Sequence, residues 1–299
     1  MAEPLFDRLV VCGVGLIGGS FALALKAAGA VRHVVGIGRN RETVERAQRL
    51  GVVDEVSSDW AMALKGADLV MLATPVGQLP GVLTAMAPHL PSDTVVTDGG
   101  STKQDVVSAF RAALPDRLPM VVPGHPIAGA EKSGPDAATA DLYKGRRVVL
   151  TPLEESKLEA TAVVRRAWEI CGARVTEMTP AAHDGVFAAV SHLPHLLAFA
   201  LVHELASRPD AATTLGFAAG GFRDFTRIAS SHPEMWRDIC LANRGALLAE
   251  LEAYIAQLTS CRQLLARGDA PGLEAVFDHA RTARDAWLNS LQSVNPSPE

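Results

Sequence analysis

A glycine-rich turn near the N-terminus constrains the fold more than any other feature. Residues 9–12 are apolar, Gly13 follows them, and a helical pattern of small and apolar residues comes next. Strand, turn and helix in this order, with glycines at 13, 15 and 18, are typical of a dinucleotide-binding βαβ unit. Gly13 allows the tight turn, Gly15 allows close approach of a pyrophosphate, and Gly18 allows the helix to pack on the strand. The sequence therefore predicts a dinucleotide site whose anion binds the helix N-terminus.

The second predicted strand, residues 33–37, bears on the choice of cofactor. Gly38-Arg39-Asn40-Arg41 follows it, where an NAD enzyme usually carries an acidic residue. Because no Asp or Glu stands there, and a guanidinium suits a phosphate, Arg39 favours NADP, with NAD possible. A solvated Arg39, or Glu42 reaching the ribose, stays open as an alternative.

The alternation of strands and helices continues through the first half of the chain. Strands are predicted at residues 68–73, 94–97, 147–151 and 174–178, with helices at 102–113 and 154–171. Ligands bind at the carboxyl ends of parallel strands, which places Thr74, Pro75 and Ser101 at the cofactor. Ser101 is also expected to cap the helix that follows it. The full set predicted to bind the cofactor is Gly13, Gly15, Leu16, Ile17, Gly18, Arg39, Thr74, Pro75 and Ser101.

A histidine lies in a stretch rich in glycine and proline farther along the chain. His125 belongs to the run Pro-Gly-His-Pro-Ile-Ala-Gly, which is too rich in both residues for a helix or a central strand. We expect a loop beside a cleft. An imidazole suits removal of a hydroxyl proton near neutral pH, although a solvated or locally hydrogen-bonded histidine is the alternative.

After residue 180 the strand patterns end and helical patterns dominate. Within a helix predicted at residues 182–204, Asp184, Ser191 and His195 share one face, and buried polar groups of this kind need partners or a ligand. His192 lies close to that face, and Pro194 is expected to kink the helix. Backbone partners for these histidines are the alternative to a ligand.

Composition excludes several other classes. The net charge is −5 with no basic stripe, so neither nucleic acid nor a membrane surface is an expected partner. The four cysteines show no metal or redox spacing, and the acidic start with glycines soon after it indicates neither a signal peptide nor a membrane span. We expect a cytoplasmic protein with reduced thiols and no metal.

These patterns predict an α/β N-terminal domain of the Rossmann type followed by an all-α domain. The predicted boundaries are 1–179 for the dinucleotide-binding domain, 180–291 for the helical substrate domain, and 292–299 for a disordered tail.

The chain resembles the prephenate/arogenate (cyclohexadienyl) dehydrogenase family over residues 9–291. The motifs that carry the resemblance are Gly13-Val-Gly-Leu-Ile-Gly-Gly-Ser20, Asp98-Gly-Gly-Ser-Thr-Lys103, Gly124-His-Pro-Ile-Ala-Gly129 with Glu131-Lys-Ser-Gly134, His183-Asp184, Val190-Ser-His-Leu-Pro-His195, Gly221-Phe-Arg-Asp-Phe-Thr-Arg-Ile-Ala229 and Met235-Trp-Arg-Asp238. Family members oxidatively decarboxylate a cyclohexadienyl acid on the way to tyrosine. The helical domain is their dimerisation domain.

The resemblance implies a role for each matching residue. His125 corresponds to the catalytic base and Ser101 to the serine that orients the substrate hydroxyl, the histidine and the cofactor. His195 and Arg227 correspond to residues that hold the substrate, and Gly220 and Trp236 to positions where a neighbouring subunit reaches the pocket. A homodimer is therefore expected, with tyrosine as a possible inhibitor at the active site.

Particular residues bear on the choice of substrate and on the other classes of protein that share the glycine turn. Ala130 stands where some family members carry Thr or Ser, which leaves prephenate and arogenate open as substrates. A β-hydroxyacid dehydrogenase would share the glycine turn but would carry a catalytic lysine in the second domain, and no lysine follows Pro180. A non-catalytic cofactor sensor would have no reason to combine His125, Ser101, His195 and Arg227.

Overall fold

A computed structural model describes residues 3–129 and 133–294, with side chains to residue 291. Ala130, Glu131 and Lys132 lie outside these ranges, as does most of the predicted tail. Two compact units divide the chain, the first ending at Leu247 and the second beginning at Leu248. The predicted domain boundary at residues 179 and 180 falls within the first unit and stays a prediction.

The first unit is built on a six-stranded parallel sheet in the order β3-β2-β1-β4-β5-β6. The carboxyl-terminal halves of β1 and β2 and all of β4 and β5 are buried, because helices cover both faces of such a sheet. The strands are β1 (Phe6–Cys12), β2 (Val31–Ile37), β3 (Glu55–Val56), β4 (Leu69–Leu72), β5 (Val95–Asp98) and β6 (Val121–Val122). The helices between them are α1 (Leu16–Ala27), α2 (Arg41–Arg49), α3 (Trp60–Leu64), α4 (Leu79–Met86) and α5 (Gln104–Ala113).

The carboxyl ends of the central strands lie side by side, and this alignment positions the candidate site. Cys12 of β1 pairs with Leu72 of β4, and Leu72 pairs with Asp98 of β5. The loops that follow these strands therefore meet at the same edge of the sheet. This is the edge where open α/β sheets bind their ligands.

A second sheet has three strands in the order β7-β8-β9, comprising β7 (Gly124–Ile127), β8 (Arg147–Leu150) and β9 (Arg174–Glu177). Helix α6 (Leu158–Ile170) connects β8 to β9. The prediction of a loop around His125 was wrong, because residues 124–127 pair antiparallel with β8. The edge position explains how a strand accommodates Pro126, since an edge strand needs hydrogen bonds on one side only.

Helices complete the first unit. They are α7 (Pro180–Phe187), a π-helical turn (Ala188–His192), α8 (Leu193–Ala206), α9 (Ala211–Gly216), α10 (Gly220–Thr226), a 3₁₀ turn (Arg227–Ser230) and α11 (Pro233–Ala242). The π turn lies just before Pro194 and changes the helical spacing. Of the polar stripe predicted at Asp184, Ser191 and His195, Asp184 is buried and the other two are half-buried, while His183 and His192 are buried as well.

The second unit contains the rest of α12 (Arg244–Arg267) and α13 (Ala270–Val294), joined by a turn at Gly268 and Asp269. Large apolar side chains on these helices are exposed in the single chain, namely Leu248, Ile255, Leu258, Leu265, Phe277, Trp287 and Leu291. Exposed apolar side chains in this number are typical of a face that another protein surface covers.

One helical stretch, Pro180–Ala206, is long and apolar enough by composition to cross a membrane. A core helix passes the same test. The stretch contains buried Asp184, which accepts hydrogen bonds from Lys103 and Gln104, and buried His192, which bonds to Asn243. We therefore interpret it as a helix that forms a site within the protein.

Candidate active site

The glycine turn has the geometry that its sequence predicts. Gly13 has a φ of +93°, and a Cβ there would lie 2.6 Å from the carbonyl oxygen of Ala73. A Cβ on Gly18 would lie 2.2 Å from the carbonyl oxygen of Gly13, so only glycine allows α1 to approach the strand. A Cβ on Gly15 would meet nothing within 4 Å.

The N-terminus of α1 is suited to an anion. Gly15 is its N-cap residue and has no side chain that could accept a hydrogen bond from the first amides of the helix, those of Leu16 and Ile17 among them. Open space over Gly15 and uncapped amides at the positive end of the helix are the features that a pyrophosphate requires. The residues present therefore fit a dinucleotide.

Other residues predicted for the cofactor lie around this turn. Thr74 and Pro75 follow β4, and the buried Thr74 Oγ1 has no hydrogen-bond partner among the described residues. An unpartnered buried hydroxyl indicates that a ligand or water supplies its partner. Arg39 is exposed just beyond the end of β2, and Asn40 caps α2 by accepting a hydrogen bond from the Thr43 amide at 3.1 Å.

Three side chains from two elements form a hydrogen-bonded chain that begins at His125. His125 Nδ1 lies 2.8 Å from His183 Nε2, and His183 Nδ1 lies 2.8 Å from Asp184 Oδ1. His125 is held in β7 opposite Val149, while His183 and Asp184 lie on α7. Phe187, one turn along α7, packs against both imidazoles with ring centroids 4.9 Å and 4.5 Å away.

Asp184 also caps α5. Its carboxylate accepts hydrogen bonds from the amides of Lys103 and Gln104, both at 2.8 Å. The prediction that Ser101 caps this helix was wrong, because α5 begins at Gln104 and Asp184 reaches its first amides from another helix. A carboxylate is a better partner for the positive end of a helix than a neutral hydroxyl.

A buried ion pair lies beneath this chain of side chains. Lys103 Nζ lies 2.6 Å from Asp98 Oδ2, and both side chains are at most 1% exposed. Asp98 also accepts hydrogen bonds from the amides of Gly100 at 2.7 Å and Gly124 at 3.1 Å. The second contact joins the end of β5 to the start of β7 and so fixes the residue next to His125.

The environment keeps these imidazoles neutral. Burial lowers the pKa of His125 well below its usual 6.5, and the positive charge of Lys103 lowers it further; a proton on His183 or His192 would have the same effect. Burial likewise lowers the pKa of His183, although Asp184 opposes this. For Asp184, burial alone would raise the pKa, but hydrogen bonds from His183 and from the two α5 amides bring it below its usual value.

A second group of side chains gathers around His195. Its Nδ1 donates to the carbonyl oxygen of Ser191 at 2.8 Å, and its ring stacks on Trp236 with centroids 3.5 Å apart. Burial lowers the pKa of His195, and the nearby charge of Arg227 lowers it further. Trp236 Nε1 is buried and has no hydrogen-bond partner among residues 3–129 and 133–291.

His192 connects the two groups. Asn243 Nδ2 donates to the backbone oxygen of Asp184 at 2.8 Å and to His192 Nδ1 at 3.1 Å. His192 also packs edge-on against Trp236, with ring centroids 6.2 Å apart. Burial lowers its pKa to about 4.

The predicted substrate residues are only partly brought together. His195 and Trp236 stack on each other, and Arg227 lies near enough to His195 for its charge to lower the pKa of that histidine. That a neighbouring subunit reaches the pocket at Gly220 and Trp236 stays a prediction. Helix α11 approaches Gly77 closely, since a Cβ on this residue would lie 2.5 Å from Oδ2 of Asp238, and glycine leaves room for that carboxylate. Gly220 is the exposed first residue of α10, and no hydrogen bond described for residues 3–129 and 133–294 joins it to this group.

Sequence reasoning assigned no role to several residues that build the site. Asp98 and Lys103 stand in a Gly-Gly-Ser-Thr turn that resembles a solvated loop, and Asn243 lies far along the chain. His183 and Asp184 carried a usable indication, since they are adjacent polar residues in an otherwise apolar helix.

Together the fold and the site define a dinucleotide-binding oxidoreductase with a neutral histidine at the carboxyl edge of its sheet. The sequence profile of the prephenate dehydrogenase nucleotide-binding domain matches residues 21–177, and that of the prephenate dehydrogenase dimerization domain matches residues 179–279. The chain belongs to the prephenate dehydrogenase family.

Individual relatives agree with this assignment. A cyclohexadienyl dehydrogenase of Zymomonas mobilis is 37% identical over 97% of this chain and 99% of its own length. The structure of prephenate dehydrogenase from Aquifex aeolicus, in complex with hydroxyphenyl propionate and NAD+, superposes with a TM-score of 0.88 at 36% identity, covering 94% of this chain and 98% of that one. Synechocystis arogenate dehydrogenase gives a TM-score of 0.79 at 30% identity, covering 94% and 99%.

Proposed function

We propose that this protein catalyses the oxidative decarboxylation of prephenate or arogenate, with His125 as the base. The observation that carries the proposal is the hydrogen-bonded chain from His125 to His183 and Asp184 at the carboxyl edge of the sheet. Because the pKa of His125 is lowered, its imidazole is neutral at physiological pH and is available to accept a proton.

The reaction needs one base and correct orientation. A bound nicotinamide supplies the hydride acceptor. His125 takes the proton of the ring 4-hydroxyl as the C–H bond at that carbon breaks. The bond to the ring carboxylate then breaks, carbon dioxide leaves, and its electron pair makes the ring aromatic. Since aromatisation drives the reaction, the protein has mainly to orient the hydroxyl and the carboxylate.

The substrate is held by the group around His195. Arg227 provides the positive charge for a carboxylate, and the unpartnered indole N–H of Trp236 provides a donor beside it. Ser101, which follows β5, orients the hydroxyl toward His125. Gly220 is assigned to the pocket by resemblance alone.

NADP is the preferred cofactor in this proposal, and NAD is the alternative. Arg39 supports this, because it is exposed at the end of β2 and no acidic residue lies between it and α2. In the Arg39→Ala variant, kcat/KM for NADP is expected to fall much more than kcat/KM for NAD, and added salt should reduce the NADP preference of the wild type. A wild-type preference for NAD would contradict this assignment and would favour Glu42 or a backbone group on the ribose.

The same proposal includes the oligomeric state of the enzyme, its compartment and its inhibition. The exposed apolar side chains of α12 and α13 pair two copies into a homodimer. The compartment is the cytoplasm, and tyrosine, which resembles the product, inhibits by binding at the active site.

The test is absorbance of reduced cofactor with prephenate and then arogenate, each with NAD and NADP. Turnover of at least one substrate is expected, together with release of carbon dioxide. Absence of turnover with all four pairs would overturn the proposal. Such a result would favour a cofactor sensor, whereas turnover of a β-hydroxyacid instead would favour the other dehydrogenase class.

A further inference from the structure

The two residues behind His125 decide which of its ring nitrogens carries a proton. His183 is buried, so it cannot be reached by a substrate, and its ring nitrogens hydrogen-bond to the base on one side and to Asp184 on the other. A side chain in this position acts on the reaction through His125. Its effect depends on the direction of the two hydrogen bonds.

Asp184 fixes the first direction. Its pKa is lowered, so the carboxylate is ionised and can only accept hydrogen bonds. It accepts one from the Gln104 amide, one from the Lys103 amide and one from His183. The proton of His183 is therefore on Nδ1.

The second direction follows from the first. A neutral imidazole has a single N–H, so a proton on Nδ1 of His183 leaves a lone pair on its Nε2. His125 Nδ1, 2.8 Å away, must then be the donor. The same reasoning applied to neutral His125 leaves its Nε2 without a proton.

We propose that His183 is a positioning residue that, held by Asp184, locks His125 in the tautomer whose Nε2 can accept the substrate proton. This inference rests on the proposed function of His125 as the base. After His125 accepts the hydroxyl proton at Nε2, its Nδ1–H still donates to His183, and Asp184 stays ionised. No proton has to pass beyond His125.

Charged groups around His125 support a neutral resting state. His183 faces it from α7, His192 from the π turn and Lys103 from the start of α5, while the carboxylates of Asp184 and Asp98 act on His183. If His183 were protonated, it would donate to His125 Nδ1 and force the proton of neutral His125 onto Nε2. The base would then be in the wrong tautomer.

The tautomer is measured directly by ¹⁵N NMR of protein labelled at histidine, with the His125 signals assigned by their loss in His125→Asn. The expected pattern at pH 7.5 is a protonated Nδ1 and an unprotonated Nε2 for His125. The opposite pattern would overturn the inference. This measurement uses the wild-type protein and does not depend on activity or on the folding of a variant at position 183.

Two substitutions at position 183 separate positioning from packing. In His183→Gln the amide keeps an acceptor for His125 and a donor for Asp184, whereas His183→Leu keeps neither. We expect kcat with prephenate to fall by about a hundredfold in His183→Leu and by less than about tenfold in His183→Gln, with KM within threefold in both. The same pair of substitutions at exposed His89 is the control and should leave both constants unchanged.

The outcomes distinguish this inference from the proposed function. If His183→Leu keeps kcat within threefold of the wild type while His125→Asn loses at least a hundredfold, His125 is the base and the positioning role is refuted. Equal losses in His183→Leu and His183→Gln would also refute it, because packing alone would then explain both. A fully active His125→Asn would refute the proposed function, and the NMR tautomer would still decide the hydrogen-bond directions.

Discussion

Acidification is expected to destabilise the protein through His192 before most carboxylates titrate. This side chain is 1% exposed, and its Nδ1 accepts a hydrogen bond from Asn243. Protonation would place a second donor against the Asn243 amide and a charge in a buried site. Burial accordingly lowers the pKa of His192 from 6.5 to about 4.

The direction and size of the effect follow from this pKa. Between about pH 6.5 and pH 4 the unfolded chain binds a proton at His192 that the folded protein does not bind. The stabilisation is therefore complete above pH 6.5 and is lost as the pH falls toward 4. For one such group the free energy of unfolding decreases by about 2 kcal/mol between pH 7 and pH 5.

The assay is urea unfolding followed by tryptophan fluorescence at pH 7 and pH 5, at one protein concentration. His192→Gln keeps an acceptor for Asn243 but does not titrate, so its loss of stability on acidification should be about 2 kcal/mol smaller than that of the wild type. His125 and His183 remain in both proteins, so their own titrations contribute to both pH dependences. His89→Gln is the control, and identical pH dependence in wild type and His192→Gln would refute the reasoning.

Two further substitutions test the substrate site and the buried ion pair of Lys103 and Asp98. Arg227→Ala removes a charged partner for a carboxylate, which costs about 1.5 to 3 kcal/mol of binding free energy. Steady-state kinetics should therefore show KM raised roughly ten- to hundredfold, with a smaller change in kcat. An unchanged KM would place Arg227 outside the substrate site. Lys103→Met leaves the Asp98 carboxylate buried without its cation, so urea unfolding should show a loss of about 3 to 5 kcal/mol. The matched change at exposed Lys65 should cost little, and equal losses at the two positions would contradict the account of the ion pair.

The nucleotide-binding half is the part of the fold that local sequence patterns predict well. The central strands end in buried, mostly apolar residues followed by a turn, and a Cβ on Gly18 would lie 2.2 Å from the carbonyl oxygen of Gly13. Such constraints act within a few residues of one another. They can therefore be read from the sequence without knowledge of the rest of the fold.

Long-range contacts explain most of what the sequence did not predict. Residues 124–127 form a strand only because β8 pairs with them, and Ser101 does not cap α5 because Asp184, 80 residues beyond Gln104, takes its place. The π turn before Pro194 likewise changes which polar residues of that helix are buried. Local periodicity contains no information about partners so distant in the chain.

The most direct test of the central claim is the turnover of His125→Asn with prephenate and a saturating nicotinamide cofactor. Asparagine removes the basic nitrogen from a half-buried position in β7, so the variant should fold and bind reduced cofactor as the wild type does. We expect kcat to fall at least a hundredfold. Wild-type kcat should decline on the acid side only below the usual histidine pKa, since the pKa of His125 is lowered. A kcat of His125→Asn within threefold of the wild type would contradict the assignment of His125 as the base.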